Sequence, residues 1–218
     1  MFFFLITLFA VITVHLVAIA SVGKAIGVSI RKFSLGFGPT IFQFGIFRIG
    51  AIPTGGYVRF RDSQEEPVPP EEMKSSLSGR SSVEQIVISL SGCVVLLSIG
   101  ITLAGTSGFQ AFMDLPLQVF VGASSPLDKA QTLLKNSSSF VQSAPIGILT
   151  GILCAKYAAL NCIPFPATNG AVTIAILGRR FNAEKWWPSI GTPILTIVTL
   201  VIFASWSFAL LIYAISNV

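Results

Sequence analysis

Few side chains in the apolar stretches of this 218-residue chain can do chemistry. His15 is the single histidine, and no acidic or basic residue shares its block, residues 2–23. An imidazole there either packs with its hydrogen bonds satisfied or serves a site, as proton carrier or metal ligand. A second polar group, Lys156, Asn161 and Asn169, interrupts the apolar run from Phe140 to Gly178. Lys156 can snorkel or face the outer part of a helix bundle. Asn161 and Asn169 flank Pro164 and Pro166, where prolines free backbone groups that amides can serve; a site role is the other reading. Cys93, Cys154 and Cys162 are too few and too apolar in setting for a disulfide framework. Cys154 and Cys162 would lie near one face of a regular helix, and thiolates bind zinc. Single cysteines in apolar spans are ordinarily packing residues, and no base accompanies these.

The elements that hold these residues follow from composition. The chain is 53% hydrophobic and 11% charged, with a mean hydropathy of +0.80. That excludes an ordinary water-soluble domain and also disorder. The apolar blocks predict an all-α integral membrane protein with about four transmembrane helices. The spans fall at about 2–23, 86–104, 144–177 (broken near 164–170) and 188–214. A broken helix at membrane depth must be buried in protein or line a cavity. Trp186 and Trp187 suit an interfacial anchor. The first segment lacks a basic leader and an A-x-A site, so it reads as a retained anchor. Residues 28–60 alternate β-branched and aromatic residues with Gly and Pro, predicting a small membrane-associated β-region. Residues 61–74 read as an irregular polar linker. The segment 105–139 reads as a loop with a short surface helix within 124–139.

The net charge of +5 raises nucleic acid as a partner. Its distribution argues for topology instead. Of the fourteen Lys and Arg residues, eight lie in the loop 24–83, and three (Arg179, Arg180 and Lys185) in the loop 178–187. Only Lys129 and Lys135 lie in the segment 105–139. The positive-inside rule then places loops 24–83 and 178–187 on the cytoplasmic-equivalent side, with both termini opposite.

Four segments, in order, are similar to the motifs of one family. They are Val14-His15-Leu16-Val17-Ala18-Ile19; Phe33–Pro39 followed by Ala51-Ile52-Pro53-Thr54-Gly55-Gly56-Tyr57-Val58; Ile88-Ser89-Leu90-Ser91-Gly92-Cys93; and Asn161–Gly170. Through them the chain resembles, from end to end, the site-2 proteases, which are intramembrane zinc metalloproteases. The family patterns are H-E-x-x-H, F-S-x-G-F-G-P with P-x-G-G-Y-V, L-A-G-P, and N-x-x-P-x-P-x-x-D-G. The second and fourth matches are specific, and the third is weak alone. The resemblance implies a single membrane domain over 1–218. No stretch is long enough for the PDZ domain that many relatives carry.

The resemblance also implies where a metal would sit, and there the sequence departs from the pattern. His15 matches the first zinc histidine. Leu16 stands where the family has its Glu base, Ile19 where it has the second His, and Asn169 where it has the metal-binding Asp. A catalytic zinc takes about three protein ligands plus an open position. The expectation is therefore no catalytic residue, no metal and no cofactor, with His15, Leu16, Ile19 and Asn169 as vestigial positions. If family geometry holds, His15 and Asn169 are expected to bond directly or through one water. Asn161, Pro164, Pro166 and Gly170 form the broken-helix motif.

The leading functional expectation is a catalytically inactive pseudoprotease. It would bind or scaffold another membrane protein, or serve as an accessory subunit of a larger membrane complex. The resemblance implies a peptide-binding strand at Arg48, Ile49, Gly50, Ala51, Ile52, Pro53, Gly55, Gly56 and Tyr57; packing the cytoplasmic mouth of the bundle is the other reading. The alternative function is an active intramembrane zinc endopeptidase with an atypical site. A small transporter, suggested by the broken third span and Lys156, ranks last because no second broken helix matches it. The expected partners are the lipid bilayer and another membrane protein, with no nucleic acid.

Overall fold

A computed structural model describes residues 2–179 and 191–216. Trp186, Trp187, Arg180 and Lys185 lie outside the described residues, as does the start of the fourth expected span. The chain divides into two compact units, Met1–Leu96 and Leu97–Val218.

The first unit opens with helix α1 (Phe2–Ala25), whose 24 residues extend about 36 Å at 1.5 Å per residue. Two long strands follow, β1 (Ile30–Phe44) and β2 (Phe47–Phe60), antiparallel to each other. Gly45 takes φ 56° at the first position of the two-residue turn between them, the position where a type II′ hairpin turn wants glycine. The hairpin is curled rather than flat. Phe33, Ser34 and Leu35 of β1 each pair twice, once with Val58, Tyr57 and Gly56, and once with Phe47, Arg48 and Ile49. The curl is tightest where Gly36 meets Gly50: a Cβ on Gly50 would lie 2.4 Å from the Phe37 carbonyl oxygen. Phe42, Phe44 and Phe47 at the far end are exposed.

Residues 61–74, expected to be an irregular polar linker, include one short 3-10 turn at Pro70–Ser75. Arg61 pairs with Glu72 at 2.6 Å, Arg31 with Glu66 and Arg59 with Glu65. The backbone joins in, since Leu77 N–H donates to the Arg61 carbonyl at 2.7 Å. The core of the unit joins Ile19, Val28, Phe60 and Ile88. Gly23 of α1 makes room for the Phe60 ring, because a Cβ there would sit 2.3 Å from a ring carbon.

Helix α2 (Ser82–Ala104) begins in the first unit and ends in the second. Its start is a capping box: Ser81 N–H donates to Glu84 Oε2 at 2.8 Å, and Glu84 N–H donates to Ser81 Oγ at 3.3 Å.

The second unit holds α3 (Thr106–Ser124), α4 (Lys129–Ser143), α5 (Ile146–Cys162), α6 (Asn169–Arg179) and α7 (Thr192–Ser216). The segment 105–139, read as mostly loop, is therefore mostly helix. Small residues let these helices approach closely, as is usual between helices in lipid. Gly108 lies against the Gly100 carbonyl, and Gly151 against Ala104. Three of the described helices, α1, α2 and α7, are long and apolar enough to cross a membrane, and α5 is a shorter apolar helix. Within the segment expected as the third span, α5 stops at Cys162 and α6 starts at Asn169.

Candidate functional site

On α1 the residues in the family's zinc-motif positions share one buried face. His15 is 2% exposed, Leu16 4% and Ile19 8%. The His15 ring packs against Gly92 of α2, where an added Cβ would come within 2.5 Å of Nδ1 and 2.7 Å of the His15 carbonyl oxygen. Gly92 belongs to the Leu-Ser-Gly-Cys segment, which is weak as a sequence signal. Its contact with His15 is what gives that segment meaning.

Leu16 reaches the β-hairpin. A Cβ on Gly56 would lie 2.5 Å from Leu16 Cδ1 and 2.3 Å from the Ser34 carbonyl oxygen. The residue in the position of the family's base is thus a hydrocarbon plug seated on bare backbone. Ile19, one turn further along, is a member of the Val28–Phe60–Ile88 core. Its surroundings are aliphatic and aromatic carbon.

The hairpin stretch from Arg48 to Tyr57 has two characters. Arg48 and Ile49 are paired on both sides, with Ser34 and Leu35 and with Gln43 and Phe42. Gly56 and Tyr57 have β1 on one side, opposite Leu35 and Ser34. Arg48 is tied down: Nε donates to Thr40 Oγ1 at 2.7 Å, Nη1 to Tyr57 Oη at 3.2 Å, and Nη2 to the Gly38 carbonyl. Partial burial pushes the Tyr57 phenol up. The Arg48 hydrogen bond and the Arg48 and Lys32 charges outweigh it, so the phenol sits below its ordinary value of 10.0.

The broken-helix motif lies in the second unit. Ile163–Thr168 link α5 to α6, and Gly170 packs so closely that a Cβ would be 2.3 Å from the Cys162 carbonyl oxygen. Asn161 donates to the Tyr157 carbonyl at 2.9 Å, back along its own helix. The freed groups at the break are served by Thr168. Its Oγ1 lies 2.6 Å from the Ile163 carbonyl oxygen and 2.8 Å from that of Phe165, and it accepts from Ala171 N–H at 3.4 Å. Thr168 is thus the N-cap of α6, a role that a Thr just before an apolar helix could have announced. Ala167 beside it adopts φ 69°, a conformation that a residue with a Cβ seldom takes. Asn169 is the half-buried first residue of α6. His15 belongs to the first unit and Asn169 to the second.

A zinc site needs donors, and these residues do not supply a fitting set. Two of the four positions are buried hydrocarbon and one is a neutral amide. Cys154 is buried and Cys162 exposed, so the two thiols do not share a common environment. Among the described residues, no group of three or more His, Cys, Asp or Glu side chains could hold a metal ion.

The sequence as a whole matches the model of peptidase family M50 over residues 3–205. The chain belongs to that family, the site-2 proteases, and is an integral membrane protein. It is similar to the regulator of sigma-E protease RseP of Salmonella typhimurium, 33% identical over 96 residues, which is 42% of this chain and 21% of the relative. RseP of Escherichia coli matches with the same identity and the same coverage. The regulator of sigma E protease of Haemophilus influenzae is 28% identical over 94 residues, 41% of this chain and 21% of that protein. The matched part is about a fifth of each relative's length.

Proposed function

We propose that this chain is a non-catalytic member of the family, a pseudoprotease that holds a segment of another membrane protein. The observation that carries the reading is the fate of Leu16 and Ile19. A base position filled by a buried leucine has no group to accept a proton. A ligand position built into an apolar core has no lone pair to offer a metal. No zinc chemistry follows from such a face, and a resident metal is not part of the proposal.

The holding element is the hairpin. An extended segment can add to a sheet edge through backbone groups alone, with side-chain pockets setting preference. The edge from Gly56 to Arg59 has one neighbouring strand, as does the edge from Thr40 to Phe44. The exposed Phe42, Phe44 and Phe47 suit a partner that is itself in the bilayer. Arg48 and Ile49, paired on both sides, support the edge rather than offer one.

Two measurements test the reading. Elemental analysis of the purified protein is expected to find no stoichiometric zinc; zinc that disappears on His15→Ala would overturn it. Photo-crosslinkers placed at Phe44 and Arg59 are expected to capture a second protein in the native membrane. Crosslinks to lipid alone would remove the partner.

A further inference from the structure

The second unit contains a cavity of about 230 Å³ between α3, α4, α5 and α7. Its walls include Leu115, Leu133 and Trp206, and its polar groups are Gln118, Ser137 and Lys156. The Lys156 ammonium donates to Gln118 Oε1 at 2.8 Å, a neutral acceptor. Asp114, one turn before Gln118 on α3, acts on it electrostatically. Among the described residues, no carboxylate lies within ion-pair distance of Lys156. An ammonium half-withdrawn from water and faced by carbon calls for a counter-charge.

The walls indicate the kind of molecule that would bring it. Trp206 Nε1 is already engaged with the Val119 carbonyl at 3.0 Å, so toward the cavity the indole offers hydrocarbon. The α4 wall is amphipathic. Leu133 and Leu134 are half-buried, whereas Lys129, Lys135 and Asn136 are exposed. Such a helix suits the plane where headgroups meet acyl chains. The volume is below the ~300–1,000 Å³ of pockets that enclose a whole drug-sized ligand. It has room for the head and first carbons of a longer amphiphile.

We propose that this cavity is a binding site for an anionic phospholipid, the lipid phosphate pairing with Lys156 while the first carbons lie on Leu133 and Trp206. Ser137 is a second donor to the same phosphate. The site is independent of the hairpin and of the scaffold role.

The test uses the full chain in detergent micelles doped with phosphatidylglycerol and phosphatidylcholine, with bound lipid counted by native mass spectrometry. Wild type is expected to retain phosphatidylglycerol over phosphatidylcholine by about fivefold, the worth of one basic side chain near an anionic surface. Lys156→Gln should bring the ratio to parity, and Lys156→Arg should keep it. Leu133→Trp, which fills the cavity and leaves the charge, should lower retention of phosphatidylglycerol. Equal retention by wild type, or an unchanged ratio in Lys156→Gln, overturns the site. An excess of inorganic phosphate should not displace the lipid; displacement would mark a site for free phosphate and overturn the lipid assignment. Unchanged helical content by circular dichroism separates loss of the site from loss of the fold. A variant with altered content is replaced by Lys156→Met under the same readout.

Discussion

Two motif regions of this protein are built in different ways. On α1 the face that resembles the family's zinc motif is core: Leu16 is pressed onto Gly56, and Ile19 is sealed among Val28, Phe60 and Ile88. At the α5–α6 break the backbone itself makes the shape. Pro164 and Pro166 stop one helix, Thr168 starts the next, and Gly170 sits tight on the Cys162 carbonyl. Asn169, a neutral amide, is the first residue of α6. The difference is one of construction, side-chain packing in one region and backbone shape in the other. On α1 buried hydrocarbon makes the face; at the break a hydroxyl cap and a close glycine make the shape.

Substitutions can break or sharpen this contrast. The largest effect is expected from Leu16→Glu, which buries a carboxylate against backbone oxygen and carbon. A loss of about 3–5 kcal/mol should appear in denaturant unfolding in mild detergent. A loss under about 1 kcal/mol would mean that water reaches this face. Gly92→Ala comes next, because its methyl must displace the His15 ring and the helix backbone behind it. Overpacking of this kind costs about 1–3 kcal/mol, and the same unfolding assay should register it.

Thr168→Ala tests the other region. Removing the cap of α6 should cost about 1 kcal/mol, seen as a small drop in stability. Amide exchange should speed up at Ala171, whose N–H loses its acceptor. The smallest effect is expected from Asn169→Asp. A carboxylate at the first residue of a helix is favoured by about 0.3–1 kcal/mol, so stability should hold or rise slightly. If Asn169→Asp destabilised as much as Leu16→Glu, the two regions would not differ in kind.

Much of this was legible in the sequence, and the exceptions have physical causes. The spans and the break follow from long apolar runs and two prolines, which act locally. The segment 105–139 was not legible as helix, because Gly105, Gly108, Asp114 and Pro116 each argue against one. What outweighs them comes from distant residues: Gly108 fits against Gly100, and Gly122 against the Trp206 ring. The β-region was expected as strands, but its curl was not, since a strand pattern does not say that Phe33–Leu35 will pair twice. Gly92 was missed as a partner of the site for the same reason, whereas the N-cap Thr168 had a local signal that was passed over. The role of Gly92 lies in what it touches, and a glycine beside a lone histidine on another helix leaves no local pattern.

The docking of α7 has a consequence of its own. Ser205 Oγ donates to the Ala123 carbonyl at 2.6 Å, Trp206 Nε1 donates to the Val119 carbonyl, and Gln131 Nε2 on α4 donates to the Ala209 carbonyl at 2.9 Å. Every acceptor is main chain, so no change of side chain at Val119, Ala123 or Ala209 deletes one. Lineages can rewrite these three positions, within the limits of space, and still keep the joint. Among the described residues, a change at any of the three donors Ser205, Trp206 or Gln131 does remove a bond of that joint.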